Sequence, residues 1–277
     1  MLPSDWFSAF FTKNMIVDIV RHTNQYAIHC GTIRWTTLTI REFEVWLGLT
    51  IAMGIHRLPS VDFYWSNEWI FAVPQFKALM TRFRYQEIKS HLYFSNPGKS
   101  HTYQLGKIHN LLNQFQTQCR ELFYLPRAVS IDEMMVKTKS KFSKCKIRNP
   151  KKPIRDGIKI EALCDSRTGY LYAFRVHTSS NQDLLQVGSK TLNVVATLVS
   201  QLPFKGFQIF MDNYYSSINV FRYLHNMKHN VIGTTQARRI APTLAMKKST
   251  PRGNMNWRVT TKMDNEDENH APILYYA

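Results

Sequence analysis

The 277-residue chain is long enough for one large domain or two modest ones, and a 44% apolar content supplies an ordinary globular core. Its 36 Lys and Arg against 19 Asp and Glu leave a net charge of +17, which favours a polyanionic partner, nucleic acid above all, over a merely soluble basic protein or a cationic membrane-surface binder. No apolar run approaches a membrane span, and no secretory leader is evident. The cysteines (Cys30, Cys119, Cys145 and Cys164) form no CxxC pair and no zinc-ligand spacing with histidine, so free thiols in a reducing compartment are expected. A nuclear or cytosolic protein follows, with nuclear favoured by charge.

The first third reads as helical. From Thr12, Met15, Ile16, Ile19 and Val20 recur at helical spacing. Thr39 and Glu42 stand at capping-box spacing, where each side chain can satisfy an orphan N–H of the other. Phe43, Trp46, Leu47 and Ile51 then form one face, and Pro59 marks its end. Pro74 is expected to open a third helix, because its missing N–H would be unpaired there anyway. Phe76, Leu79, Met80 and Phe83 would continue it, with Arg82, Arg84 and Lys89 among them. A fourth helix, near Ile108 to Phe123, would bury Leu111, Leu112, Phe115, Cys119 and Leu122. The Trp and Phe residues here read as core rather than as base-stacking platforms.

The pattern changes after Pro126. AVSIDEMMV, carrying Asp132 and Glu133, is short and apolar and reads as a buried strand. A basic stretch follows: Lys137, Lys139, Lys141, Lys144, Lys146, Arg148, Lys151, Lys152 and Arg155, with no acid before Asp156. A charge run is often a solvated face. Its place between two strands, with Phe142, Ile147 and Pro153 to tie it down, favours a phosphate-contacting loop beside Asp132. GIKIEALCD and YLYAFRVHT read as a hairpin with Gly169 in its turn. A helix is expected over Asp183 to Leu202, presenting Leu184, Leu185, Val195, Leu198 and Val199. FQIFMD is the next strand, ending at Asp212 and followed by Asn213. SSINVFRYLHNMK is a helix with Ser216 or Ser217 as its N-cap, and NVIGTT is a strand. Strand, hairpin, helix, strand, helix, strand is the order of a mixed sheet flanked by helices. From Gln236 the chain turns polar and irregular, with Arg238, Arg239, Lys247, Lys248 and Arg252, an acidic DNEDE at Asp264 to Glu268, and an apolar ILYYA.

Asp132 and Asp212 each stand where an apolar run meets polar sequence. In-line phosphodiester transfer needs its attacking and leaving oxygens both stabilised, which two divalent ions about 3.5–4 Å apart accomplish. Mg²⁺ takes oxygen ligands and keeps some of its waters. Carboxylates at the ends of neighbouring strands can converge on such ions. Glu133 and Asn213 are weaker candidates with a structural role. An aspartate at a strand end is also a common turn former, so both readings stand at this point.

Particular motifs add to this. HTNQYA at His22 to Ala27, YWS at Tyr64 to Ser66, MTRFRY at Met80 to Tyr85, SIDEMM, PKKP followed by GIK at Pro150 to Lys159, DSRTGY at Asp165 to Tyr170 and MDNYYSS occur in this order. Together they resemble the piggyBac transposase family and its domesticated derivatives, along nearly all of the chain. The resemblance implies an α/β fold: an N-terminal helical region over 1–126 for DNA binding or dimerisation, then a ribonuclease-H-like core, partial, over 127–234. Residues 235–277 would begin an inserted segment. The family uses three aspartates to hold Mg²⁺ for strand cleavage and joining at TTAA. Carried over, Asp132 and Asp212 match the first two. The third stands in a Gly-Val-Asp context that does not occur in this sequence, so the core is expected to be truncated at its C-terminus. Gln236 stands where the family usually has an arginine, and Arg238 where it has an asparagine. DNEDE reads as a solvated loop rather than as a replacement acid, since loops position ligands poorly.

Three functions are consistent with these readings. The favoured one is a piggyBac-derived DNA-binding protein with an incomplete three-aspartate centre and no autonomous transposition. The second is a portion of an active cut-and-paste transposase. The third is a domesticated interaction module, forming a homodimer or assembling with a full-length relative. DNA contacts are expected from Lys139, Lys141, Lys144, Lys146, Arg148, Lys151, Lys152, Arg155, Arg238 and Arg239. Mg²⁺ would be weakly held, or unused, without the third acid, and no membrane is involved.

Overall fold

A computed structural model describes residues 2–71, 73–97, 105–138, 145–150 and 152–234, together with the backbone of two short strands beyond them. The chain divides into two compact units, Met1–Gln118 and Cys119–Ala277.

The first unit is helical. Helix α1 (Pro3–Phe10) has proline in its first turn and no buried residue, which explains why apolar spacing does not reveal it. Thr12 caps α2 (Lys13–His29), accepting the Met15 N–H, and Met15, Ile16, Ile19 and Val20 are buried as expected. Thr39 caps α3 (Ile40–Ile55) at 3.2 Å from the Glu42 nitrogen. Only half of the capping box forms. Both Glu42 oxygens instead take the Arg84 guanidinium, at 2.7 and 2.8 Å, a charge-assisted fork stronger than the local bond it replaces.

The single helix expected from Pro74 is two. Helix α4 (Pro74–Leu79) stops at Met80, which is extended at φ −156°, ψ 145°, and Thr81 caps α5 (Arg82–His91). The Met80 carbonyl is taken by the Trp65 indole at 2.8 Å, and the Thr81 side chain takes the Arg84 N–H. These two bonds offer the backbone an alternative to one more helical turn. The break shifts the apolar register: Phe76 and Met80 are buried, whereas Leu79 and Phe83 are exposed. Helix α6 (His109–Glu121) buries Cys119 alone, leaves Leu111, Leu112 and Phe115 half-buried, and ends before an exposed Leu122. Phe43, Trp46, Tyr64, Phe76 and Tyr85 form a stacked aromatic core, as read from the sequence. Trp69 departs from that reading at 89% exposed.

The second unit holds the sheet. Strands β1 (Ala128–Lys137), β2 (Lys146–Arg148), β3 (Asp156–Asp165), β4 (Leu171–Val176), β5 (Gln208–Met211) and β6 (Asn230–Gly233) assemble in the order β2-β3-β1-β5-β6, with β4 also on β3. Strand β1 runs antiparallel to β3 and parallel to β5, and β5 runs parallel to β6. The β3–β4 hairpin turns at Gly169, whose φ of +73° suits glycine. Val129, Ile131, Leu163 and Ile209 line one sheet face. Against them lie Val195 and Leu198 of α7 (Lys190–Val199) and Val220 and Leu224 of α8 (Ile218–Asn226). Ser217 is the N-cap of α8.

Three sequence expectations are corrected here. Strand β1 is buried only at Val129 and Ile131, because its other face and its far end meet solvent. The helix expected from Asp183 begins only at Lys190. Ahead of it, the Asn193 side chain takes the Val187 and Gly188 N–H groups at 2.9 and 2.8 Å, and Thr197 takes that of Leu185. Those donors are thereby withdrawn from a helical ladder, and Leu185 stays exposed. The final segment, read as irregular, contains an antiparallel backbone ladder between β7 (Trp257–Val259) and β8 (Leu274–Tyr276).

Candidate metal centre

The parallel pairing of β1 with β5 sets Ile131 beside Met211. The next residues, Asp132 within β1 and Asp212 just past the end of β5, are therefore neighbours across the same strand pair. Neighbouring strands lie about 4.8 Å apart, which lets two carboxylates share an ion. One carboxylate oxygen from each of Asp132, Glu133 and Asp212 lies within 4.8 Å of the others. Asp132 and Asp212 are exposed and Glu133 is half-buried.

Local hydrogen bonds hold the two aspartates in place. Asp212 Oδ1 accepts the N–H groups of Tyr214 at 2.9 Å and Tyr215 at 3.4 Å, closing the turn after β5. Its carbonyl accepts the Ser216 N–H and hydroxyl. Asp132 Oδ1 accepts the Glu133 N–H at 2.7 Å. The turn-former reading and the metal-ligand reading are thus compatible. The turn uses Oδ1 of Asp212 and orients the carboxylate that an ion would need.

Glu133 lies closer to the pair than its sequence position suggests. Successive strand residues point to opposite faces, and Glu133 follows the core-facing Val129 and Ile131. Because β5 pairs with β1 only as far as Ile131 and Met211, the Glu133 carboxylate nevertheless reaches the aspartates. Glu133 Oε1 stands 3.3 Å from Lys152 Nζ, while Oε2 is buried without a hydrogen-bond partner. The Tyr215 hydroxyl is likewise buried and unpartnered, on a side chain with 0% exposure. Burial first, then the charges of Glu161, Glu133 and Asp132, push its phenol far above the usual range, so it stays protonated.

A buried charge network stands behind these residues. Arg175 donates to Glu161 at 2.6 Å and to Asp183 at 2.5 Å. His177 Nδ1 lies 3.1 Å from Glu161, and Lys159 Nζ lies 3.9 Å away. Burial alone would raise the Glu161 carboxyl. The hydrogen bonds and charges of His177 and Arg175 outweigh it and hold Glu161 below the usual carboxylate range. Lys159 also sits 4.5 Å over the Tyr214 ring, steadying the turn that carries Asp212. Sequence reading did not single out Glu161 or Arg175. The available signal was their cross-strand position in the hairpin, counted back from Gly169.

The donor set suits a hard cation. All three side chains offer oxygen, as Mg²⁺ prefers. Burial, with Asp132 and Asp165 nearby, pushes the Cys164 thiol up, so this neighbour remains a neutral thiol rather than a soft thiolate ligand. The unpartnered Glu133 Oε2 is an acceptor that an ion or its water would satisfy.

Of the basic residues expected to contact DNA, Lys146 and Arg148 lie on β2, Arg155 directly precedes β3, and Lys152 reaches Glu133. Strand β2, with no apolar period, was not foreseen. Lys139, Lys141, Lys144, Lys151, Arg238, Arg239 and the acidic run at 264–268 lie outside the described residues. No helix among the described residues is long and apolar enough to cross a membrane.

Comparison with known proteins places this geometry in context. A cryo-EM structure of piggyBac transposase, solved as a synaptic complex with hairpin DNA, matches with a TM-score of 0.80 at 20% identity. The match covers 92% of this chain and 56% of that one, so the chain spans little more than half of its structural relative. That likeness shows the fold, a ribonuclease-H-like sheet flanked by helices. The family model described as Transposase IS4 matches residues 2–266. With nearly its whole length matched, the chain belongs to this transposase family, the one in which the piggyBac-like motifs of its sequence also place it.

Proposed function

We propose that this chain binds duplex DNA and holds a divalent cation, Mg²⁺, at Asp132 and Asp212. The observation that carries this reading is the juxtaposition of Asp132 on β1 with Asp212 just after β5, their oxygens within 4.8 Å, in a transposase family. The hairpin DNA in the piggyBac transposase complex supports DNA as the partner, as does the net charge of +17. When bound, such a cation would neutralise charge developing on phosphate oxygens and activate a water. The chain's own residues would do the rest. The Tyr214 and Tyr215 amides fix Asp212, and Lys146, Arg148 and Arg155 grip the phosphate backbone.

We assign binding of DNA and of one cation to these 277 residues, rather than completed strand transfer. A two-ion centre calls on several carboxylates, and one of the three grouped here is already engaged by Lys152. A second reading, part of an active cut-and-paste transposase, is favoured by the family match. It differs in one outcome, Mg²⁺-dependent nicking of DNA by this chain.

Fluorescence anisotropy with a labelled duplex tests the DNA reading. Between about 50 and 200 mM salt, log affinity should fall linearly with log salt. Joint replacement of Lys146, Arg148 and Arg155 by Gln should lower that slope by up to about 3, near 0.9 for each lost phosphate contact. No binding at low salt would overturn the proposal. An unchanged slope would move the contacts away from these three residues.

A further inference from the structure

Two residues next to the aspartates, Glu133 along β1 and Tyr215 in the turn held by Asp212, each carry an orphaned polar atom, and the two atoms are complementary. Glu133 Oε2 is an acceptor with no donor, and the Tyr215 hydroxyl is a donor with no acceptor. Both are buried, where unpaired polar atoms are costly and rare. Tyr215 is wholly buried, and its backbone N–H donates to Asp212 Oδ1. The Glu133 carboxylate is tied to the site, with an oxygen within 4.8 Å of those of Asp132 and Asp212. The other oxygen contact of Glu133 is cationic: Lys152 Nζ stands 3.3 Å from Oε1. A monovalent ammonium thus occupies one side of a carboxylate whose other oxygen has nothing to bind.

We propose that Glu133 supplies a third carboxylate to the cation at Asp132 and Asp212, that Lys152 competes with the cation for it, and that the Tyr215 hydroxyl donates to a water in the cation's shell. This deepens the metal-site reading above and rests on it. Three facts support it together. The ligand atoms are close enough to share one ion. Oxygen ligands and retained water are what a Mg²⁺-type ion takes. A water between Tyr215 and Glu133 would accept from the phenol and donate to Oε2, satisfying both orphans at once. The arrangement also gives Lys152 a second use. Once Glu133 turns to the cation, the ammonium is released to a DNA phosphate beside the aspartates.

The test is Mn²⁺ binding to the 277-residue chain without DNA, read from the loss of the free-ion electron paramagnetic resonance signal. Glu133→Gln should weaken binding about 10- to 100-fold, and Glu133→Asp should recover part of the loss. Tyr215→Phe should weaken it less than Glu133→Gln. Lys152→Met should tighten it, a direction that misfolding does not produce. Joint Asp132→Asn and Asp212→Asn should weaken binding by about 100-fold or more. If that double variant loses binding while Glu133→Gln binds like the parent, the Glu133 assignment is overturned and the two-aspartate site stands. If Lys152→Met leaves affinity unchanged, the competition is refuted. If the parent chain binds no Mn²⁺, or the double variant binds as well as the parent, the metal-site reading itself fails.

Discussion

Replacing Arg175 by Met should lower the unfolding free energy of the sheet unit by about 3–5 kcal/mol. The Arg175 side chain is 3% exposed and that of Glu161 is 2% exposed, so the change would leave a carboxylate buried without its strongest partner. Asp183 would lose its fork from the same guanidinium, and with it the tether of the segment ahead of α7. Replacing Glu161 by Met in the same chain should return part of the stability, since removing both charges costs less than stranding one. Urea unfolding of the second unit, read for the single and double variants, measures the difference. A single variant within 1 kcal/mol of the parent (about a fivefold change in the folding constant) would show that the network is not held together by Arg175. The same network sets a pH dependence. The Glu161 carboxyl is lowered in the fold from its ordinary 4.5. Its contribution is therefore fully present above that value and is lost as pH falls through the lowered folded-state value. Acid unfolding should begin below about pH 4.5, and Arg175→Met should shift its onset upward.

The second large effect concerns the aspartates themselves. Joint Asp132→Asn and Asp212→Asn should lower divalent-cation affinity by about 100-fold or more while leaving the fold intact. Asparagine keeps an oxygen that can accept the Tyr214 and Tyr215 N–H groups, so the turn after β5 survives. What disappears is the negative charge, on two exposed residues whose like charges repel each other in the absence of an ion. Thermal unfolding without metal should therefore be unchanged or slightly raised. Added Mn²⁺ should stabilise the parent chain and not the variant. Equal stabilisation of both chains would place the ion elsewhere.

Much of this architecture was legible in the sequence because local chemistry determines it. Thr39 and Ser217 cap the helices they were expected to cap. Gly169 turns the hairpin, and Asp212 directly follows β5 as expected, whereas Asp132 lies within β1, which runs on to Lys137. The features that could not be read depend on partners distant in sequence. The break at Met80 is fixed by an indole 15 residues away. The irregular segment from Asp183 is fixed by Arg175 and by the side chains of Asn193 and Thr197. The Glu161–Arg175 pair needs the hairpin register before it can be seen. Glu133 is the clearest case. Strand alternation assigns it to the face opposite Asp132, and only the end of β5 beside β1 lets its carboxylate join the aspartates.

The central claim is that Asp132 on β1 and Asp212 just past β5 form one cation site. Anomalous X-ray diffraction from a crystal of this chain grown with Mn²⁺ tests it most directly. The account predicts one anomalous peak within bonding distance of both Asp132 and Asp212, at about 2.0–2.3 Å from each ligating oxygen, with Glu133 turned toward it. A fully occupied peak elsewhere, with these aspartates bound only to their own turns, would contradict it.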